Sequence, residues 1–556
     1  MAWYDSAVFY HIYPLGLCGC PHDNNGETGA HFDKLNEWAE HAKRIGCNAI
    51  YIGPLFESGS HGYDTTDYRL VDRRLGTNDD FKQFVKNCHA NDVKVIVDGV
   101  FNHTGRDFFA FQDIKQNREN SRYKDWYCNV NFWGNNEYND GFSYDNWGGY
   151  NLLAKLNLWN PEVKNYHLET VKFWADEFDI DGIRLDAADV LDFGFMKELR
   201  SFCNGLKPDF WLMGEVIHGD YSRWVNNDML HSVTNYELHK GLYSGHNDHN
   251  YFEIAHTIKR LNGIVGDKKL YTFCDNHDVA RIYSKLNNKA HMYNVAILVY
   301  TVPGIPSIYY GSEFGIPGNK EKGSDWNLRP DLNLADFNEK DELPALYTTL
   351  GHLKQRFPEL TYGDYRELYL TTGQFAFARC LDGRAVVTAL NNADNGAHME
   401  INLPIGANKA VNLLTIDQIT EVQEDTCTDD VTAKAWENAR NELLDKAGQL
   451  VGASGEIRYK AEDIRKALEA LETGADFGQA VWNLFGNLND TMNNMHRVIG
   501  EFEQTMHKQE RNSVAAGGDC TGGESLEIRD GKLIVDLPAN KGVVAVSYTH
   551  LTLPTN

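Results

Sequence analysis

From Val8 to about Phe357, short runs of β-branched and aromatic residues alternate with longer stretches whose apolar positions recur every three or four residues. A period of two followed by a period of 3.6 predicts strands, each followed by a helix. The predicted strands are Val8–Pro14, Ala49–Leu55, Lys94–Phe101, Gly182–Ala188, Phe210–Val216, Ser232–Leu238, Leu270–Asn276 and Pro306–Ser312. Helical period marks His31–Gly46, Asp79–Asp92, Pro161–Phe178, Phe193–Leu206, Tyr251–Leu261, Met292–Val302 and Pro344–Phe357, with only a short segment near Tyr221–Val225 in the fifth position. Eight β-then-α units predict an α/β protein built on a parallel (β/α)8 TIM barrel, since an open doubly wound sheet usually stops at about five to seven strands. Functional residues of such a barrel gather where its strands end.

The pattern also divides the chain. Residues 104–159 separate the third strand from the helix at Pro161, and insertions of that length in compact domains are usually functional. This one is crowded with Trp126, Tyr127, Phe132, Trp133, Tyr138, Tyr144, Trp147, Tyr150 and Trp159, interleaved with Asn, Asp and Gly. Aromatic faces stack on sugar rings while amides and carboxylates hydrogen-bond hydroxyls; a small satellite core is the competing reading of any one ring. After Phe357 the runs become short and alternating (Tyr365–Leu370, Gln374–Arg379, Ala385–Leu390, Met399–Leu403), with turns at Asp382-Gly383 and Asn391-Asn392, and strand character returns at Leu526–Val535 and Val543–Tyr548. The predicted division is therefore a catalytic barrel at 1–103 and 160–360, a loop subdomain at 104–159, an antiparallel β-sandwich at 361–416 and 523–550, and a helical insertion at 417–522. Within the insertion Phe477, Val481, Leu484, Phe485 and Leu488 recur at helical steps, which reads as a hairpin core. The insertion is a candidate surface for a protein partner or for self-association, and Ser547–Asn556 does not continue the sandwich pattern.

Composition narrows the partners. A net charge of −26 repels phosphate backbones and anionic lipid, so neither nucleic acid nor membrane is an expected partner. The longest apolar stretch, Ala296–Tyr310, is broken by Pro303 and Pro306 and is too short for a bilayer. No signal peptide is visible at the start, and ten cysteines without a CxxC pair read as reduced thiols, so the expected location is cytoplasmic.

The chemistry lies at the predicted strand ends. Side chains two apart on a strand share a face, so Arg184 and Asp186 in Gly182-Ile183-Arg184-Leu185-Asp186 would both point into the barrel. A guanidinium beside a carboxylate keeps it ionised, which suits Asp186 to nucleophilic attack, although for such a triplet taken alone a structural ion pair is the favoured explanation. Glu215 closes the fifth strand in an apolar setting that would raise its pKa. Asp278 follows Asn276-His277 at the end of the seventh strand, and Asp98, with Asn102 and His103, ends the third. A fold gains no stability by gathering acids at one mouth. One ionised and one protonated carboxyl are what glycoside hydrolysis needs. No HExxH, GxGxxG or Walker loop favours metal-assisted or nucleotide chemistry.

Asp98-Gly99-Val100-Phe101-Asn102-His103, Gly182-Ile183-Arg184-Leu185-Asp186, Gly214-Glu215-Val216 and Asn276-His277-Asp278 together resemble the four main blocks of the α-amylase family of glycoside hydrolases. The resemblance runs from about residue 3 to 415 and again near the C-terminal end. Pro303–Gly311 resembles the family's eighth-strand block, and Ala154-Lys155-Leu156-Asn157 places the chain nearest the neopullulanase, cyclomaltodextrinase and maltogenic amylase branch. That branch usually carries an N-terminal β-domain, whereas this sequence begins at the barrel. The resemblance implies Asp186 as nucleophile, Glu215 as general acid/base and Asp278 as transition-state stabiliser, in a double displacement that retains anomeric configuration. It implies substrate contacts from Tyr63, Asp98, His103, Arg184, His277 and Lys155. The expected substrates are α-1,4-linked maltodextrins, starch fragments or cyclodextrins; α-1,6 cleavage, transglycosylation and a catalytically silent binding barrel are the alternatives. No cofactor is required and no metal ligand is assigned. The His22–Glu27 loop, with oxygen side chains at alternate positions, resembles the calcium loop of some α-glucosidases of the family, against the reading of an ordinary polar turn.

Overall fold

The computed structural model describes residues 2–415 and 523–548, so the expected helical insertion at 417–522 and the tail beyond Tyr548 lie outside the described residues. Eight parallel strands form one sheet: β1 (Phe9–Ile12), β2 (Ala49–Ile52), β3 (Lys94–Gly99), β4 (Gly182–Leu185), β5 (Trp211–Gly214), β6 (Ser232–Val233), β7 (Tyr271–Phe273) and β8 (Ile305–Tyr309). Their order is β6-β5-β4-β3-β2-β1-β8-β7, and a parallel bridge from Thr234 to Tyr271 joins the two edges into a barrel. Each strand is shorter than its apolar run, because the residues beyond it turn outward as loops.

The period of two decides what fills the barrel. Phe9, Ala49, Tyr51, Ile96, Trp211, Met213, Tyr271, Phe273 and Ile305 pack into one interior cluster. Two residues further along, the same faces present His11 after Phe9, Asp98 after Ile96 and Glu215 after Met213. Register places Asp98 beside Arg184, so the inward polar residues of β3 and β4 are neighbours. The interior is thus apolar below and charged at the C-terminal mouth.

The principal helices are α1 (Phe32–Arg44), α2 (Asn78–Ala90), α3 (Pro161–Phe178), α4 (Phe193–Leu206), α5 (Tyr236–Asn247), α6 (Tyr251–Val265), α7 (Met292–Thr301) and α8 (Glu342–Arg356). α3 and α4 have the expected bounds because their starts are chemically marked: Asn160 caps the Glu162 N–H ahead of Pro161, and Asp192 caps that of Phe195. The sixth strand is a correction. It was expected to run to Leu238, but it ends at Val233, and the Asn235 side chain accepts from the Leu238 N–H to start α5. Between β5 and β6 only a short turn of 3-10 helix, Tyr221–Arg223, takes the fifth helical place.

The C-terminal strands β9 (Asp364–Leu370), β10 (Gln374–Leu381), β11 (Arg384–Asn391), β12 (Ala397–Asn402), β13 (Lys409–Asn412), β14 (Glu524–Arg529), β15 (Lys532–Leu537) and β16 (Gly542–Tyr548) pair antiparallel in the order β9-β10-β11-β16-β13-β14-β15-β12. The run Leu526–Val535 is two strands, not one. Asp530 and Gly531 both take positive φ, 51° and 75°, the conformation of a two-residue hairpin turn. The last strand, β16, runs to Tyr548 as its alternating pattern suggested, with Ser547 paired to Ala385. No helix among the described residues is long and apolar enough to cross a membrane.

Candidate active site

At the barrel mouth one guanidinium holds three acids. Arg184 donates from one terminal nitrogen to Asp98 Oδ1 at 2.8 Å and Asp186 Oδ1 at 2.9 Å, and its other terminal nitrogen lies 2.9 Å from Glu215 Oε2. Glu215 also accepts the Ala187 N–H at 3.0 Å. On the opposite flank, Asp278 is held by Arg329 at 3.1 Å and by His277 Nε2 at 3.0 Å. The Tyr63 hydroxyl joins the flanks. It bonds Asp98 Oδ2 at 3.1 Å and also meets His277 Nε2, so a polar chain runs from Asp278 through His277, Tyr63, Asp98 and Arg184 to Asp186 and Glu215. Gly53, just past β2, makes room for it: a Cβ there would lie 2.7 Å from Asp98 Cβ.

Exposure rises across the site, with side-chain values of 11% for Asp186, 13% for Glu215 and 30% for Asp278, so the cluster opens to solvent on the Asp278 side. Burial and the nearby Asp278 raise the Glu215 pKa against the pull of Arg184 and the Ala187 N–H, as its apolar strand end suggested. Asp186 is a correction. Arg184 was expected to keep it ionised, yet burial, Glu215 and Asp98 outweigh that attraction and push it up, because one cation is shared among three carboxylates. Asp186 and Glu215 therefore titrate as a pair that retains a proton more tightly than isolated acids. Asp278 behaves oppositely: burial works against its charge, but His277, Arg329 and Arg184 hold it well below the usual carboxylate range.

His103, buried with its pKa pulled down to about 3, is a neutral ring. Its Nε2–H then donates to the Tyr63 carbonyl at 3.1 Å while Nδ1 accepts from Asn102 at 3.2 Å. That places the ring 4.0 Å from Asp186. Tyr63 and His277 lie nearly parallel, centroids 5.6 Å apart. Of the expected site residues, Tyr63, Asp98, His103, Arg184, Asp186, Glu215, His277 and Asp278 come together. Lys155 stands at the edge, as the register partner of His103 in a small sheet of the loop subdomain.

Arg329, His11 and Tyr236 were not foreseen. His11 is the inward residue of β1 above Phe9, stacked on Tyr51 at 4.2 Å, and the same two-residue rule that singled out Arg184 and Asp186 applies to it. Tyr236 accepts from Asn276 at 3.0 Å from the first turn of the unforeseen helix α5. Arg329 comes from an irregular loop after β8 with no periodicity to mark it; besides Asp278 it reaches the His277 carbonyl and the Tyr13 hydroxyl, each at 3.1 Å.

In the His22–Glu27 loop the side-chain oxygens of Asn24 and Asn25 already accept hydrogen bonds within the loop. Asn24 Oδ1 and Asn25 Oδ1 accept from the N–H groups of Gly26 and Glu27, closing two Asx turns, and the Asn24 amide binds Glu57 and Ser58. The His22 ring lies flat on Trp326 at 3.8 Å. Among the described residues no group of three His, Cys, Asp or Glu is arranged to hold a metal.

The family described as alpha amylase, catalytic domain, matches residues 22–341. The chain is 30% identical over 427 residues to a cyclomaltodextrinase of Thermoanaerobacter pseudethanolicus, covering 70% of this chain and 71% of that protein. It is 27% identical to an intracellular maltogenic amylase of Bacillus subtilis, covering 74% and 72%. Among solved structures, a debranching enzyme of Nostoc punctiforme superposes with a TM-score of 0.66 at 28% identity, over 73% of this chain and 92% of that one.

Proposed function

Because the chain belongs to the α-amylase family of glycoside hydrolases, we propose that it cleaves α-1,4-glucosidic bonds of maltodextrins, starch fragments or cyclodextrins with retention of configuration. The observation that carries this reading is the Arg184 fork, which grips Asp186 and Glu215 together. Acids held on one guanidinium favour the separation of about 5–5.5 Å typical of retaining pairs over the roughly 6.5–9.5 Å of inverting ones.

In this reading the shared proton of the pair sits on Glu215, which gives it to the glycosidic oxygen as the Asp186 carboxylate attacks the anomeric carbon. The aglycone leaves, and a glycosyl ester forms on Asp186. Glu215, now ionised, takes a proton from water, which opens the ester and frees the sugar. The ionised Asp278 faces the oxocarbenium-like centre, where its negative charge counts most. Tyr63 stacks on the sugar at the cleavage point, while Asp98, Arg184, His103 and His277 hold its hydroxyls and the acids in register, and Lys155 contacts the chain at the rim. The eight described cysteines are free thiols, and one relative is named an intracellular enzyme; both support a cytoplasmic setting.

A second reading, α-1,6 cleavage, draws on the likeness to the Nostoc punctiforme debranching enzyme. Product analysis on maltoheptaose, β-cyclodextrin, pullulan and isomaltose separates the two. Glucose and maltose from the first two substrates, released as the α-anomer, are expected. Action on isomaltose alone transfers the assignment to α-1,6 cleavage, and release of the β-anomer removes the retaining mechanism.

A further inference from the structure

Asp278 stands between two buried charged residues that the reaction does not use, Asp275 three positions before it and Arg281 three positions after. Arg281 is fully buried, its guanidinium carbon 3.9 Å from the centre of the Tyr309 ring. One terminal nitrogen donates to the Tyr310 carbonyl at 2.8 Å and the Ser312 hydroxyl at 3.1 Å, and the other to the Leu328 carbonyl at 3.2 Å. Ser312 gives its own hydrogen to Asp275 Oδ1 at 2.6 Å, so a hydroxyl links the two charges. The Arg281 Nε–H meets no partner. A buried guanidinium held by neutral acceptors costs more than an apolar side chain of its size, so packing alone does not account for it.

What it grips does account for it. The Arg281 N–H donates to the Gly318 carbonyl at 2.9 Å, and a Cβ on Gly318 would lie 2.8 Å from Arg281 Cγ, so the main chain passes directly against this side chain. The guanidinium holds the same segment again at Leu328, whose carbonyl also accepts the Tyr309 hydroxyl at 3.0 Å. One residue thus pins both ends of segment 318–328. The segment and the residue after it reach back to Asp278: Lys320 donates to its carbonyl at 3.3 Å, and Arg329 to its carboxylate at 3.1 Å. We propose that Arg281 is a positioning residue of the active site, which brings Arg329 onto Asp278 by fixing the segment from Gly318 to Leu328.

The other titratable and charged groups around Asp278 come from elsewhere in the barrel. His277 stands at the end of β7, Arg184 in β4 and Glu215 at the end of β5. His11 comes from β1, Tyr236 from α5, and Tyr13, His61 and Tyr63 from the loops after β1 and β2. Loss of the anchor should therefore weaken the hold of Arg329 and leave these groups in place. Without that cation beside it the carboxylate protonates at higher pH, so activity that needs it ionised should fail first on the acid side.

The catalytic meaning of this anchor rests on the proposed α-glucan hydrolysis, and hydrogen exchange reads the anchor without it. In Arg281→Met, the amides of segment 318–329 should exchange about tenfold faster than in the parent. On maltoheptaose the acid limb of kcat/KM should move upward in pH, with a loss of roughly 10–100-fold at pH 5 and less at pH 8, as for Arg329→Met. Because both substitutions remove the same contact, the double variant should lose no more than Arg329→Met alone. Tyr309→Phe, which takes one hydroxyl from the Leu328 carbonyl, should move the limb the same way with a loss of about fivefold at pH 5, and it decides the matter if Arg281→Met does not fold. Equal losses at pH 5 and 8, losses that multiply in the double variant, or an unmoved limb in Tyr309→Phe overturn the proposal. Faster exchange in a protein that cleaves no α-glucan would support the anchor and overturn the activity; cleavage with exchange and limb both unchanged would do the reverse.

Discussion

The barrel mouth and the C-terminal sheet are both built from strands that alternate inward and outward, yet they bury opposite things. The sheet closes over Ala376, Ala378, Val387, Met399, Ile401, Leu533, Val535 and Ala545, a core of small and branched apolar residues joined by regular antiparallel pairing. The mouth buries Asp98, Arg184, Asp186, His277 and Arg329. Apolar burial stabilises in proportion to area, whereas an ionised group withdrawn from water destabilises unless it is paired and hydrogen-bonded. Three acids on one arginine meet that condition only partly, which is why two of them resist ionisation. A charge arrangement that works against the fold is what the proposed reaction would require.

The comparison is broken most sharply by one substitution on each side. Asp186→Asn should lower kcat by about 10⁴-fold or more, as losses of an attacking group do. It should not destabilise. A carboxyl whose folded pKa is raised binds its proton more tightly in the folded state, so its contribution to stability falls as pH rises from about 4 through the raised value. The neutral amide lacks that penalty, and the Tm of the variant should exceed that of the parent by a margin that grows toward pH 7. Leu533→Ala, in the sheet core, should do the reverse. It should cost about 2–5 kcal/mol of stability and leave kcat per folded molecule intact. Thermal melts at pH 5 and 7 beside single-turnover rates decide the matter; a destabilised Asp186→Asn protein would mean that the cluster is structural.

A smaller effect is expected from Arg329→Met, which keeps length and removes charge. Arg329 is one of the groups that depress the Asp278 pKa, so without it that carboxyl should protonate at higher pH. Activity that needs Asp278 ionised is lost as pH falls through its pKa, so the acid limb of kcat/KM should move upward in pH, with a loss of roughly 10–100-fold at pH 5 and less at pH 8. An unshifted limb would show that His277 and Arg184 suffice.

These residues also show where the sequence is legible. Asp98, Asp186, Glu215 and Asp278 were found because each ends an apolar run, and a run's end is a local property. Arg329 belongs to a loop whose position is set only when the barrel closes, and no local pattern carries that. Helix α5 was missed for a related reason. Gly241 and Gly245 weaken its helical signal, but a Cβ on Gly245 would lie 3.0 Å from Ile254 on α6, so the glycine that hides the helix is what lets its neighbour approach. The sharing of Arg184 among three acids was likewise invisible, since the strands that bring Asp98 and Glu215 to it lie far apart in the chain.

The smallest expected effect is at the His22–Glu27 loop, a cluster of polar side chains in which, unlike at the mouth, two asparagines are held by hydrogen bonds to the loop backbone and to neighbouring residues. Asn24 and Asn25 close Asx turns, Asn24 is tied to Glu57, and Glu57 in turn receives the Arg73 N–H at 2.8 Å. A loop ordered this way needs no cation to hold its oxygens together, and a bound metal would add RT ln(1 + [L]/Kd) to stability. Excess chelator should therefore leave Tm unchanged within error, and added calcium should not raise it. A calcium-dependent rise of several degrees that Asn24→Ala abolishes would show instead that the turn opens to coordinate a metal, and that polar side chains here, as at the mouth, are kept for a ligand.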